Sequence, residues 1–510
     1  MLESCIPLDQ LPGQSRLLKD YACCFERLRR FYDYSPWEEA SYELAARAIA
    51  FPSQRRRQLV EELARQNPGH PALEKLLRPD SYVVVTGQQV GLFGGPAYTA
   101  YKALTAIRLA RRLEERGLVA VPVFWMATED HDLAEVDHCW VFDREQQSQK
   151  LECAVQGGGG PVGLLPAERI PLEELARALE GFTWGGEVLG VVAEAYKNGA
   201  TLGDGFRALL GRLFSDRGML FFDPLAPGAR RLAAPLLEDA LADIGRLVEL
   251  VLERNRELEA AGYHTQVRVE SDSTLMFVLD GGRRLPLKRW TQAPPPERLS
   301  PNALLRPVVQ DYLMPTVAVV MGPAEAAYMA QAAVLYRELL GRMPVVALRA
   351  SFTLADERTA RLLERYGLGL PDLLKGQEFV REAIGSRLTP PELGRRLDET
   401  AEAVSRQLDV LRGTMEEFDG SLVEALDRSR RKIQYQIEKI RRKAGREALR
   451  RSERASREAD GLCRLLAPQR QLQERFYSIL PFLAAGGLGL LDRLEAAIDP
   501  SQPGHCLFVY

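Results

Sequence analysis

The sequence has no apolar run near the ~20 residues that a bilayer-spanning helix needs, so no membrane helix is expected. Its first residues, Met1-Leu2-Glu3-Ser4-Cys5-Ile6-Pro7, lack the basic and then apolar parts of a signal peptide, and the expected location is the cytoplasm. Net charge is nearly absent: 67 basic against 70 acidic residues leave −3, which gives no bulk reason to expect a nucleic-acid binder. Cysteine is scarce. The seven, at 5, 23, 24, 139, 153, 463 and 506, form an odd, scattered set that does not look like a disulfide framework. Cys-x-x-Cys is missing and the adjacent Cys23-Cys24 is poor ligand spacing, so no structural zinc site and no resident metal are expected. A Walker A loop and a Gly-x-Gly-x-x-Gly fingerprint are missing too.

What is present is ordinary globular composition, 46% hydrophobic and 27% charged, over 510 residues. That length suggests about three domains and a core that needs no staple. The first segment, 1–79, reads as helical, with tracts at 41–50 and 53–66. At 81–86 the β-branched run around Tyr82-Val83-Val84-Val85 suits a strand buried on both faces. A glycine-rich turn, a helix to Gly117 and a strand at 118–126 complete a βαβ unit within 80–142. Residues 143–299 read as an inserted connecting region. It has a flexible loop at 157–160, strands at 219–222 and 274–279, a helix at 232–261 and a stiff Pro294-Pro295-Pro296 linker. A second α/β block, 300–370, has strands at 316–321 and 344–348 around a helix at 324–340. The simplest arrangement is one nucleotide-binding-type parallel sheet in two halves, so the fold class is α/β with an added α-helical hairpin. In 371–470, Leu393, Leu397, Val404, Leu408, Leu411, Met415, Phe418 and Leu422, then Ile433, Ile437 and Ile440, keep heptad spacing around the Asp419-Gly420 break. Two long antiparallel helices are expected there, before a segment at 471–510 that returns to the core with a last strand at 507–510. The arginines and lysines of 428–457 read as a solvated coiled-coil face in preference to a nucleic-acid arm.

Three constellations carry chemistry. The first is the turn Thr86-Gly87-Gln88-Gln89-Val90-Gly91-Leu92-Phe93-Gly94-Gly95-Pro96-Ala97-Tyr98, with Lys102 one helical turn on. Glycines let backbone approach a ligand, and amides at a helix start attract phosphate or carboxylate. The second is Thr128-Glu129-Asp130-His131-Asp132, then Glu135 and His138, at the C-terminal end of the second strand, where open α/β sheets place ligands. His131 between two aspartates suits proton transfer, and the carboxylates suit a substrate amine or Mg²⁺. His131 and His138, seven apart, would share a face if the segment were helical. The third is Gly322-Pro323-Ala324-Glu325-Ala326-Ala327-Tyr328, preceded by Arg306-Pro307-Val308-Val309-Gln310-Asp311. Arg349, Ser351 and Thr353 suit phosphate binding or a structural salt bridge and cap equally well. Cys139 and Cys153 read as idle thiols.

These residues carry a resemblance. Thr86-Gly87-Gln88-Gln89, Gly95-Pro96 and Tyr98, Pro122-Val123-Phe124-Trp125, Glu129-Asp130-His131-Asp132 and Glu135 resemble the bacillithiol-biosynthesis cysteine-adding enzymes, a family of cysteine ligases. So do the Arg306 to Asp311 motif, Pro315-Thr316-Val317, Gly322-Pro323-Ala324-Glu325, Ser351-Phe352-Thr353 and Leu472-Gln473-Glu474-Arg475. The resemblance implies a Rossmann-type core with inserted segments, similar to that of class I aminoacyl-tRNA synthetases, and a coiled coil that makes a homodimer. It implies addition of cysteine to the amine of glucosaminyl-malate. The synthetase His-x-Gly-His signature is absent; the turn at 86–98 stands in its place.

Amide formation from a free carboxylate is uphill in water, so ATP with Mg²⁺ is the expected activator. On this reading His131, Asp130 and Glu129 are the catalytic set, His131 taking the amine proton and Asp130 orienting it. Thr86, Gly87, Gln88, Gln89, Gly95, Tyr98 and Lys102 bind the nucleotide. Asp132, Glu135, Gln310, Asp311, Gly322, Glu325 and Tyr328 meet the substrates. The alternative is a scaffold or binding protein that keeps the fold without the chemistry.

Overall fold

A computed structural model describes residues 2–155, 158–197, 201–288 and 293–510, with the side chains of residues 2 and 3 excepted. Gly157, the start of the expected glycine loop, lies outside them. The chain forms two compact units, one holding the chain up to Thr353 together with Glu474–Phe508, the other Leu354–Gln473.

The first unit opens on strand β1 (Leu2–Pro7). The segment 1–79 is therefore not purely helical: the alternation that buries Ile6 and exposes Cys5 is too short to stand out in sequence. In chain order follow β2 (Ser81–Gln88), helix α1 (Tyr98–Glu114), β3 (Val119–Met126), β4 (Leu220–Phe222) and α2 (Pro227–Ala242). Then come β5 (Met276–Asp280), β6 (Arg283–Pro286), β7 (Leu299–Pro301), α3 (Arg306–Leu313) and β8 (Thr316–Met321). Helix α4 (Pro323–Leu340), β9 (Val345–Leu348), β10 (Ser351–Ala355) and a last strand, β11 (Gly504–Val509), complete the set used below. The helix expected at 232–261 is two, since α2 ends before Asp243 and a second helix runs over Ile244–Ala260.

The central sheet is five-stranded and parallel, in the order β9-β8-β2-β3-β4. β8 and β9 are buried throughout and β2 and β3 nearly so, which is why they read as continuous apolar runs. The two expected halves meet between β2 and β8, where the Thr86 hydroxyl donates to the Val320 carbonyl at 2.9 Å. The connecting region is not wholly apart from this sheet: its Leu220–Phe222 run is the edge strand β4 beside β3. That run is too short to be assigned to a sheet from sequence. The connecting region also supplies an antiparallel sheet, β6-β5-β7, that stands at the rim of the parallel one.

A third sheet, β1-β11-β10, joins the two ends of the chain, with Cys5 and Cys506 opposite each other and disulfide-bonded. This corrects the expectation from cysteine spacing. A bridge across 501 residues leaves no local pattern, because strand register alone brings the two together.

The second unit contains α5 (Gln377–Leu388), then the hairpin of α6 (Pro391–Phe418) and α7 (Leu422–Arg451), and α8 (Glu453–Leu466). Gly385 of α5 and Gly445 of α7 meet backbone to backbone, leaving no room for a side chain at Gly385. Across the hairpin Arg412 pairs with Asp427 at 2.8 Å and Arg441 with Asp398 at 2.5 Å, and Arg430 pairs with Asp409. The heptad positions are not sealed by this pairing. Leu411, Ile440 and Phe418 remain 45%, 54% and 84% exposed, because two helices cover only one side of each seam. Among the described residues no helix is long and apolar enough to cross a membrane.

Candidate active site

The C-terminal ends of β2, β3 and β8 open into one cleft of about 540 Å³. This is the topological switch point of the sheet, where adjacent connections leave in opposite directions and a crevice must form. Gly87, Gln88 and Gln89 come to it from β2, Glu129 and Asp130 from the end of β3, and Glu325 and Tyr328 from α4. Its lining also includes Phe277 of β5, Arg284 of β6 and Arg306 of α3. Gly87 has a steric reason to be glycine: a Cβ there would sit 2.7 Å from the Trp125 carbonyl oxygen on the neighbouring strand.

The two carboxylates after β3 have different surroundings. Glu129 is buried, in direct contact with Arg230 of α2, and accepts from the Ser300 hydroxyl at 3.1 Å. Burial pushes its carboxyl up, against the pull of Arg230 and Arg284. Asp130 accepts from the Gln89 amide at 2.8 Å and from the backbone N–H of His131 at 2.7 Å. Burial would raise its carboxyl, but Gln89, the His131 N–H and Arg284 outweigh that and hold it below the usual carboxylate value.

Arg284 organises this wall. Its Nε donates to Ser300 at 3.0 Å, its Nη2 to the Pro301 carbonyl at 2.8 Å, and its guanidinium lies 4.0 Å from the Phe277 ring centre. Its Nη1 faces His131 Nδ1 at 3.1 Å. Arginine has no acceptor, so Nδ1 is the accepting nitrogen and the proton of the neutral ring sits on Nε2. Asp130 does not orient the ring as expected: its oxygen is 3.6 Å from Nδ1, and its bond to His131 is to the backbone.

Lys102 is buried, and its ammonium meets the Gly87 carbonyl at 2.9 Å, Gln88 Oε1 at 2.8 Å and Glu325 Oε2 at 2.5 Å. These use all three of its donors. It ties the turn after β2 to the turn after β8 and keeps no donor for a phosphate. Desolvation lowers the Lys102 pKa; burial acts to raise that of Glu325, but Lys102 more than offsets it and holds the carboxyl down.

The glycine-rich turn departs further from expectation. The backbone N–H groups of its later part are taken by the protein: Leu92 donates to the Val136 carbonyl, Phe93 to the Tyr196 hydroxyl, Gly95 to the Leu92 carbonyl and Ala97 to the Tyr477 carbonyl. Gly94 and Gly95, at φ of 85° and 68°, serve the reversal of the chain. The start of α1 is thus closed off by packing, and Gly95 lies buried away from the cleft.

Other expected residues also stand apart. Thr86 is buried within the sheet, and Tyr98 accepts a long 3.4 Å bond from Gln88. Gln310 and Asp311 are buried behind the wall, where Asp311 accepts from the Tyr336 hydroxyl at 2.8 Å. Asp132 and Glu135 are exposed. Gly322 belongs to the Glu325 turn, its N–H donating to Glu325 at 2.7 Å. His131 and His138 do not share a helix face, because 133–135 is a single 3₁₀ turn and His138 begins a strand. Arg349 and Ser351 bind the buried Glu474, each at 2.7 Å, and Ser351 and Thr353 hold the two ring nitrogens of His505, which is a structural network. Sequence reasoning missed Arg284, Ser300 and Arg230 as parts of the site. They are far from the motifs in sequence, and only the adjacent Arg283-Arg284 pair within a strand hinted at them.

Two family models match, the Bacillithiol biosynthesis BshC N-terminal Rossmann-like domain over 1–294 and 291–350, and its C-terminal coiled-coil domain over 352–509. The chain belongs to the bacillithiol-biosynthesis BshC family. A relative from Solibacter usitatus, described as "Putative cysteine ligase BshC", is 46% identical, with 99% of each chain covered. Relatives of the same description from Koribacter versatilis and Salinibacter ruber are 36% and 30% identical, with 98% of each chain and 96% and 95% covered. This BshC-family chain is thus an enzyme of a ligase family, with the Rossmann-like and coiled-coil parts of that family in order.

Proposed function

We propose that the protein joins the carboxyl group of cysteine to the amine of glucosaminyl-malate, completing bacillithiol, with ATP and Mg²⁺ activating the carboxyl. The observation that carries this reading is the charge layout of the cleft. Asp130 offers acceptors to an amine. Arg284, whose Nη1 lies 3.7 Å from Asp130, and Arg306 offer guanidinium groups to carboxylates in the same cleft. Among the described residues Arg306 has no ion pair; its Nη2 donates to the Tyr328 hydroxyl at 2.9 Å, which leaves donors for a substrate.

On this reading the malate carboxylates engage Arg306 and Arg284. Engagement of Arg284 draws it from His131 and frees Nδ1, and His131 then takes the proton of the attacking amine beside Asp130. The amide side chains of Gln88 and Gln89 contact the activated carboxyl. Lys102 and Glu325 hold the floor of the cleft. The nucleotide would supply the leaving group on the cysteine carboxyl. The half-exposed apolar heptad positions of α6 and α7 support a homodimer through the hairpin.

The test is mass spectrometry of the purified protein with cysteine, glucosaminyl-malate, Mg²⁺ and ATP, against mixtures lacking nucleotide or protein. Amide product only with protein and ATP supports the reading, and AMP or ADP in the same sample identifies the activation route. Absence of product with folded protein and all four components counts against it.

A further inference from the structure

The Cys5–Cys506 bond borders a second cavity, of about 210 Å³, that is separate from the catalytic cleft. Both cysteines line it, with Trp37, Phe352, Ala497 and Ile498 among its other walls. Cys5 is exposed and Cys506 half-buried. The geometry points to a thiol–disulfide exchange site, at which a low-molecular-weight thiol enters this cavity and attacks Cys5.

Three observations carry the assignment. The sulfur pair has a small-molecule-sized space against it, so an attacking thiol has somewhere to sit. The bond lies on β1, an edge strand that the ladder to β11 and the buried Ile6 and Leu8 hold independently of the bridge. Breaking the bond therefore leaves both sulfurs in register to re-form it. Four of the five free cysteines are poorly placed for exchange. Cys139, Cys153 and Cys463 are buried, and burial pushes the thiols of Cys153 and Cys463 up to about 11 and that of Cys139 higher still. Cys23 lies 3.3 Å from the sulfur of Cys24, and this contact pushes it to about 11, which keeps it in the unreactive thiol form.

The step balances. The thiolate of the small thiol forms a bond to Cys5 Sγ, and the Cys5–Cys506 bond breaks. Cys506 leaves with the electron pair and takes up the proton that the attacking thiol released. A second small thiol then attacks the mixed disulfide, releasing Cys5 as a thiol and the small molecule as its own disulfide. Two thiols are oxidised and the protein bridge is reduced; the small disulfide drives the reverse.

The full-length protein is equilibrated anaerobically in cysteine and cystine at graded ratios, quenched by alkylation and mapped as non-reduced peptides by mass spectrometry. The cross-linked peptide carrying Cys5 and Cys506 is expected to rise and fall reversibly with the ratio. In Cys506→Ser, cystine is expected to leave a cysteine adduct on Cys5 ahead of every other cysteine. Ala497→Phe, which fills the cavity, is expected to slow reduction by cysteine about tenfold in the folded protein and not at all in denaturant. Should that variant unfold, penicillamine replaces it as a bulkier thiol, with its rate normalised to the denatured chain. A missing cross-link at every ratio, a cross-link that cysteine leaves intact in the folded protein, or a rate indifferent to cavity filling and to thiol bulk would each overturn the assignment.

Discussion

The ammonium of Lys102 lies 2.5 Å from the carboxylate of Glu325, and this pair joins the helix after β2 to the turn after β8. The two halves of the sheet are thereby locked together beneath the cleft. Lys102→Met leaves Glu325 without its cation, and breaking a buried pair from one side costs about 3–5 kcal/mol. The lower end is expected, because a quarter of the Glu325 side chain still reaches solvent. Urea denaturation measures it, and Glu325→Gln added to Lys102→Met should recover part of the loss.

Asp311 behaves oppositely to Asp130 and Glu325 of the cleft. Burial raises its carboxyl to about 6, so the folded state holds more protons than the unfolded state between about pH 4 and pH 6. Its stabilising contribution is full below the unfolded value and is lost as pH rises through about 6. The difference in unfolding free energy between wild type and Asp311→Asn should therefore change by on the order of 2 kcal/mol across that window. A pH-independent difference contradicts it.

Asp130 is held ionised by Gln89, His131 and Arg284, and on the proposed reading it receives the substrate amine. Asp130→Asn and His131→Ala should each lower the turnover number for amide formation by about 10²-fold or more. His131 is half-exposed, so the melting temperature of His131→Ala should barely move. Full turnover in either variant removes that residue from the mechanism.

Arg306→Gln should raise the KM for glucosaminyl-malate well above any effect on turnover, since the proposed contact is made equally before and during reaction. Steady-state kinetics with both substrates varied separates this from a shift in the cysteine KM.

Phe418, Leu411 and Ile440 leave the hairpin seam half-covered. Leu411→Glu with Ile440→Glu should convert the expected dimer to monomer in sedimentation equilibrium. A wild-type monomer at tens of micromolar would sink the dimer reading outright.

Much was legible in sequence where a single segment decides the outcome. The runs at 81–86, 118–126 and 316–321 are strands because β-branched residues buried on both faces leave no other pattern, and the strand ends carry Gly87, Asp130 and Glu325 into the cleft. The hairpin of α6 and α7 was equally visible in its heptads. Tertiary structure decided what depends on pairing between distant segments. It set Arg284 against His131, filled every donor of Lys102, closed the glycine turn with Tyr196 and Val136, and brought Cys5 to Cys506. Local propensity and periodicity are properties of neighbours along the chain. Hydrogen-bond saturation and sulfur proximity depend on which strands and helices pack together, and no short window of sequence contains that information.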